Sequence, residues 1–156
     1  MRVVLTAALL LLLPSFAAAQ SYPSGTVKIV VPYAAGGGTD TIARLVGQKL
    51  SEIWKQPVVI ENRGGANGIL GTDVVAKAKP DGLTLGVVIA THAINPSVYR
   101  KLPYGEGDFA PISLLAEYPF IMVVNPQLPA RTAAEFIALA RSKPGALTFA
   151  SSGNGS

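Results

Sequence analysis

The chain of 156 residues has room for one domain or for parts of two small ones. Its 49% hydrophobic and 14% charged residues exclude an intrinsically disordered chain. The lack of cysteine excludes disulfides, thiolate metal sites and cysteine nucleophiles, and the single histidine, His92, excludes a multi-histidine metal site. The net charge of +4 comes without a clustered basic stretch, so nothing indicates a nucleic-acid partner.

The N-terminal segment 1–19 is typical of a secretory signal peptide. Arg2 gives a positive start, an apolar run extends over 3–13, and Ala17-x-Ala19 is a small-residue cleavage site. The apolar run is too short to cross a bilayer. We therefore expect export, cleavage after Ala19, and no direct membrane insertion after the signal is removed.

Three apolar, largely β-branched runs predict strands, and two stretches with helical spacing lie between them. The strands are expected over 27–31, 58–60 and 83–89. The helices are expected over 39–54 and 69–79. This alternation, with short connections, predicts a parallel sheet covered by helices on both faces.

The two predicted helices carry specific expectations about their ends and faces. Thr39 is a plausible N-cap of the first helix, and Asp40 suits its positive first turn. The expected apolar stripe of that helix consists of Ile42, Ala43, Leu45, Val46, Leu50, Ile53 and Trp54. The expected inner face of the second helix consists of Val74, Val75 and Ala78.

The pattern changes after the third strand. Prolines, glycines and acids over 102–111 indicate a boundary or crossing segment. Further on we expect extended runs over 112–116 and 120–124, a helix over 132–142 opened by a Thr132/Glu135 capping box, and a strand over 147–150. The chain stops one Gly/Ser-rich loop later, without a helix to cover that strand, so we expect it to be a fragment of a longer protein.

Gly36-Gly37-Gly38, between the first strand and the first helix, is the most informative feature. Glycines let the backbone approach a ligand, and a helix start offers unpaired N–H groups with a partial positive charge. The pattern is equally compatible with a tight turn that binds nothing. A nucleotide phosphate is disfavoured, because Thr39 and Asp40 follow without a lysine.

The loop 151–156 is a second candidate, since it also follows a predicted strand and could hold a carboxylate with hydroxyl and N–H groups. A flexible tail is the alternative interpretation. His92 follows the third strand with no acid nearby in sequence, which is typical of a loop residue rather than a catalytic base. A Gly-x-Ser-x-Gly motif is absent, so serine hydrolase chemistry has no support.

Five stretches carry a resemblance to a known family. They are IVVPYAAGGGTD from Ile29, QPVVIENR from Gln56, PDGLTL from Pro80, DFAPIS from Asp108 and ASSGNGS from Ala150. With the signal peptide, they resemble the Bug-type periplasmic solute-binding receptors of tripartite tricarboxylate transporters. The likeness covers essentially all of the predicted mature chain.

The resemblance implies a two-lobed, periplasmic-binding-protein-like α/β fold whose parallel-sheet lobes have flanking helices, here truncated. Family members are roughly twice as long, which corresponds to two domains of ordinary size. The chain would then be the N-terminal half of a receptor. It would contain the signal peptide (1–19), an incomplete first lobe (20–110), and the crossover with the start of the second lobe (111–156).

The resemblance also implies a periplasmic receptor, not an enzyme, without cofactor or metal. Such a receptor captures a small carboxylate, such as a di- or tricarboxylate, and presents it to the membrane permease subunits of the transporter. Backbone groups and bridging waters hold the carboxylate. Carried over to this chain, the ligand-binding positions are Ala34, Ala35, Gly36, Gly37, Gly38, Asp40, Thr91, Ser151, Ser152, Gly153 and Asn154.

One alternative from another functional class remains open. An exported flavodoxin-like or hydrolase-like α/β enzyme could use the same glycine-rich loop. It would need a catalytic base or a cofactor fingerprint, and the sequence contains neither.

Overall fold

The computed structural model describes residues 22–117, 119 and 121–149. The predicted signal peptide and the loop 151–156 lie outside these residues. The strands are β1 (Val27–Val31), β2 (Val58–Asn62) and β3 (Thr84–Gly86). The α-helices are α1 (Gly38–Trp54), α2 (Ile69–Ala76), α3 (Thr91–Val98) and α4 (Ala133–Ser142). Short 3₁₀ turns occur at Ala66–Gly68 and Glu106–Asp108.

The three strands form one parallel sheet in the order β2-β1-β3. Ile29 of the central strand pairs with Ile60 on one side and with Leu85 on the other. Both faces of β1 are covered, and Val27, Val30 and Val31 are fully buried. An apolar, β-branched run is what a strand covered on both faces requires. The α/β class with a parallel sheet and flanking helices is confirmed.

Helix α1 packs on the sheet through its small residues. Ala43 and Gly47 are buried, and a Cβ on Gly47 would approach Ile60 Cδ1 to 3.0 Å. The residues of α1 that contact the sheet therefore differ in part from the predicted apolar stripe. Two members of that stripe, Leu45 and Ile53, are 62% and 70% exposed. The predicted stripe was chosen by the hydrophobicity of the residues, whereas the side of the helix that packs on the sheet is the one where small residues let the two backbones approach.

Three other helix expectations need correction. The N-cap of α1 is Gly37, and Thr39 lies inside the helix as a buried residue. Helix α2 ends at Ala76 instead of residue 79, and Val74 of its predicted inner face is 39% exposed. The buried residues of α2 are Ile69, Gly71 and Thr72, because the bare backbone of Gly71 brings this side of the helix against the end of β1.

Helix α3 was not predicted. A loop around Thr91 and His92 was expected in its place, and the helix contains Pro96, a residue that normally breaks a helix. The helix is short, and its buried Asn95 is bonded to the neighbouring turn at Asn67. Tertiary contacts therefore stabilise a segment that helix propensity disfavours.

The later part of the chain follows its prediction in one element. Helix α4 begins with the predicted capping box, in which Glu135 N–H donates to Thr132 Oγ1 and Thr132 N–H donates to Glu135 Oε2, both at 3.2 Å. The residues described within the three predicted extended runs, 112–116, 121–124 and 147–149, are not strands, and β3 is shorter than expected. A strand needs a neighbouring strand as hydrogen-bonding partner. Among the described residues, the sheet contains only β2, β1 and β3, so none of these runs has such a partner.

Candidate functional site

The order of the strands determines where a ligand site can form. The chain leaves β1 through α1 to reach β2 on one side, and then crosses through α2 to reach β3 on the other side. In open α/β sheets, ligands bind at such a reversal, outside the carboxyl ends of the strands. The segments that flank this crevice are 32–37 after β1 and 87–90 after β3.

The segment after β1 offers backbone donors at the start of a long helix. The predicted positions Ala34, Ala35, Gly36, Gly37 and Gly38 are all exposed. The N-cap Gly37 has extended dihedrals and makes no side-chain capping bond. The first N–H groups of a helix have no intrahelical acceptor and carry a partial positive charge, so this end of α1 can hold an anion.

The segments around the crevice supply no basic side chain of their own. Residues 32–38, 64–68 and 87–91 contain neither lysine nor arginine. An anion bound there would meet mainly N–H and hydroxyl donors. This composition matches the backbone-based recognition that the family resemblance implies.

Asp40 lies under the glycine loop, with its side chain only 4% exposed. Its Oδ2 accepts from Gly36 N–H at 2.8 Å and from Arg44 Nε at 2.9 Å, and its Oδ1 accepts from Asn62 Nδ2 at 2.9 Å. The hydrogen bond from Arg44, followed by those from Gly36 and Asn62, lowers the pKa of Asp40 from 3.8 to about 2. The carboxylate is therefore ionised at neutral pH, and its hydrogen bond from Gly36 N–H stabilises the conformation of the glycine loop.

Asn62, at the end of β2, and Arg44 were missed by the sequence analysis. Asn62 Nδ2 also donates to Tyr33 O at 3.2 Å, and Asn62 Oδ1 accepts from Arg44 Nη2 at 3.1 Å. The i,i+4 spacing of Asp40 and Arg44 in a predicted helix could have revealed the ion pair. Nothing local in the sequence connects Asn62 to Asp40, because parallel strand pairing brings them together.

Tyr33 connects the two sides of the crevice. Its hydroxyl lies 2.7 Å from Thr91 Oγ1, and Ile89 N–H donates to it at 3.4 Å. Thr91 was expected in a loop facing the cleft; it is instead the first residue of α3 and is 4% exposed. The Thr91 hydroxyl is hydrogen-bonded to that of Tyr33, the residue that precedes the predicted ligand-binding positions 34–38.

A third segment, the turn 64–68 after β2, packs against the same tyrosine. Gly65, Ala66, Asn67 and Gly68 all have positive φ, which is strained for alanine and uncommon for asparagine. A Cβ on Gly68 would lie 3.2 Å from Tyr33 Cε1. The positive φ values and the close approach of Gly64 and Gly68 to Tyr33 show that this turn packs directly on the tyrosine.

Tyr33→Phe tests the bridge across the crevice. We expect the variant to lose about 1 kcal/mol of folding free energy, the usual net contribution of one or two hydrogen bonds, and to bind the carboxylate that the resemblance implies several-fold more weakly. Chemical denaturation and calorimetric titration of the full-length protein measure both effects. Tyr22→Phe is the control, since it removes the exposed bond to Gly82 O and should leave affinity unchanged. Equal affinity of Tyr33→Phe and wild type would contradict the bridging role.

Other candidate chemistry is limited in the described part of the chain. His92 packs against Phe109, with ring centroids 5.0 Å apart, and against Tyr104; it lies in α3, so its assignment to a loop was wrong. Within residues 22–117, 119 and 121–149, no group of three or more acidic or histidine residues could hold a metal ion. No helix described there is long and apolar enough to span a bilayer. The predicted positions Ser151, Ser152, Gly153 and Asn154 lie outside the described residues.

Solved structures similar to this chain include two from Rhodopseudomonas palustris. An R. palustris protein with adipate is 38% identical, with a TM-score of 0.74 over 79% of this chain and 42% of that one. MatC with bound malate is 41% identical, with a TM-score of 0.72 over 78% of this chain and 42% of that one. The periplasmic binding protein BugD is 42% identical, covers 54% of this chain and 28% of its own, and has a TM-score of 0.52.

Curated relatives extend the likeness to sequence. A UPF0065 protein of Agrobacterium vitis is 42% identical over 155 residues, which are 98% of this chain and 44% of that protein. BugT of Bordetella pertussis is 36% identical over 141 residues, which are 88% of this chain and 43% of BugT. The chain thus spans less than half the length of these relatives.

A family model also matches the chain. This model describes the receptors of the tripartite tricarboxylate transporter family, and it matches residues 42–156, well over half of the sequence. The homologues are solute-binding receptors, not enzymes, which decides against the enzyme alternative. The chain therefore belongs to the tripartite tricarboxylate transporter receptor family.

Proposed function

We propose that the full-length protein is a periplasmic receptor that captures a small carboxylate and delivers it to the membrane subunits of a tripartite tricarboxylate transporter. The carrying observation is the uncapped start of α1, which lies at the strand-order reversal among segments without basic side chains. Adipate and malate, named in two similar structures, support a small dicarboxylate as the ligand class.

The proposed site has two halves. In the first, the N–H groups of 34–38 other than that of Gly36, which donates to Asp40, face one carboxylate, while Asp40 and Thr91 hold the surrounding backbone. In the second, Ser151, Ser152, Gly153 and Asn154 close on the ligand from the other lobe. This division follows the expected lobes at 20–110 and 111–156, with the signal removed after Ala19. The exposure of residues 34–38, and the N-cap Gly37 that makes no side-chain capping bond, support this arrangement.

Gly36→Ala tests the first half of the site. Gly36 has φ +84°, and a Cβ there meets no atom within 4 Å, so the substitution strains the backbone without a steric clash. We expect affinity to fall at least tenfold, which corresponds to about 1.4 kcal/mol. The measurement is calorimetric titration of the full-length protein, purified from periplasm, with adipate, malate, succinate and citrate.

Gly25→Ala is the matched control, because its Cβ also meets nothing within 4 Å and its φ is not positive. Failure of the wild type to bind any of the four acids would contradict the receptor proposal. Equal affinity of Gly36→Ala and wild type would remove the glycine loop from the site. Mass spectrometry of the same preparation should give Gln20 as the first residue, and an intact Met1 would contradict the export proposal.

A further inference from the structure

The first turn of α1 carries a negative side chain, Asp40, which is unexpected beside an anion site. Asp40 lies in the first turn of the helix and bonds directly to the glycine loop through Gly36 N–H. A negative charge there stabilises the helix but repels a bound carboxylate. A receptor that uses this loop for an anion must therefore neutralise Asp40.

Arg44 supplies that neutralisation. Its Nε lies 2.9 Å from Asp40 Oδ2, and its Nη2 donates to Asn62 Oδ1 at 3.1 Å. The guanidinium is thus hydrogen-bonded both to Asn62 and to the Asp40 carboxylate whose charge it balances. The carboxylate also raises the pKa of Arg44 through the hydrogen bond and the charge of Asp40, so the pair stays ionised together.

Asn62 fixes the orientation of this pair. Its amide nitrogen faces two acceptors, Asp40 Oδ1 and Tyr33 O, and its amide oxygen faces the Arg44 donor. The flipped amide would set oxygen against oxygen and nitrogen against nitrogen, so only one orientation satisfies all three contacts. Asn62 therefore orients the Arg44 guanidinium towards Asp40, and the two opposite charges are paired.

We propose that Arg44 is a charge-balancing, positioning residue that acts through Asp40: it cancels the buried negative charge under the glycine loop and so permits the loop to accept an anion. This inference rests on the proposed function. It predicts that the arginine matters through its charge, and that the need for it disappears when Asp40 is neutral.

The test is a set of variants of the full-length protein, titrated with adipate, malate and citrate at low and high salt. We expect Arg44→Gln to bind at least tenfold more weakly than wild type at low salt. High salt should recover part of the loss, because it screens the repulsion from Asp40. Arg44→Lys, which retains the charge, should stay within a few-fold of wild type.

The double variant Asp40→Asn/Arg44→Gln distinguishes charge from contact. Recovery of affinity relative to Arg44→Gln, measured well below the melting temperature of each variant, supports the proposal. An equally weak double variant would show that Arg44 touches the ligand itself or only supports the fold, and would overturn it. Wild-type affinity and salt response in Arg44→Gln would overturn the inference alone. A wild type that binds none of the three acids would overturn the proposed function and this inference with it.

Discussion

Gly71→Ala is expected to lower the free energy of unfolding by about 3 kcal/mol, an overpacking cost at the upper end of the usual range. A Cβ at this position would lie 2.6 Å from Arg63 O and 2.8 Å from Pro32 Cα. Both atoms are backbone, so neither moves without shifting the end of β1 or β2. Alanine normally stabilises a helix relative to glycine by about 1 kcal/mol, and here the clash outweighs that gain.

Chemical denaturation of the full-length protein measures this effect. Gly107→Ala is the matched control, because a Cβ there meets no atom within 4 Å and its φ is not positive. The displaced Pro32 begins the segment that leads to the glycine loop, so carboxylate affinity should fall as well. A Gly71→Ala variant as stable as the control would show that α2 does not pack this tightly on the sheet.

Asp40→Asn is expected to remove part of the acid sensitivity of folding. The Arg44, Gly36 and Asn62 hydrogen bonds lower the pKa of Asp40 from 3.8 to about 2. A carboxyl with a lowered pKa stabilises the fold above its ordinary pKa, and that stabilisation is lost as pH falls towards the folded-state value. The wild-type melting temperature should therefore drop between pH 3.8 and about 2, and the variant should drop less.

The measurement is a series of thermal melts of both proteins across this pH range. At neutral pH the variant should melt lower than wild type, because asparagine replaces charge-assisted bonds by weaker ones. Glu52→Gln controls for the loss of one negative charge, since the Glu52 side chain is about half exposed. An equal fall in melting temperature with pH for wild type and Asp40→Asn would contradict the assigned role of this carboxylate.

Glu61 adds a second acid-sensitive contribution to the stability of both proteins, because hydrogen bonds from Lys28 and Arg63 lower its pKa.

Features encoded in short stretches were predictable. The strand of Val27–Val31 and the capping box at Thr132 match the structure closely. The anion-loop hypothesis came from Gly36 to Gly38, and the structure places these residues at the uncapped start of a helix of 17 residues. Each signal lies within about one helical turn of sequence, where local sterics and hydrogen bonding dominate.

Features that depend on partners distant in sequence were missed. Helix α3 contains Pro96 and forms alongside buried contacts to Asn67, 28 residues away from Asn95. Leu45 was expected in the core, yet Gly47 lets the backbone approach the sheet and leaves Leu45 outside. In both cases hydrophobicity and propensity gave a reasonable local answer, and packing geometry overrode it.

The sequence by itself determined the α/β class, the central apolar strand and the glycine-rich start of the first helix, because each depends on residues that are neighbours in the chain. Only the tertiary structure decided how that helix start is supported. Parallel pairing carries Asn62 from β2 to Asp40 and Tyr33, and the Tyr33 hydroxyl reaches Thr91 across 58 residues. Long-range pairing is a property of the assembled sheet, so no spacing in the sequence expresses it.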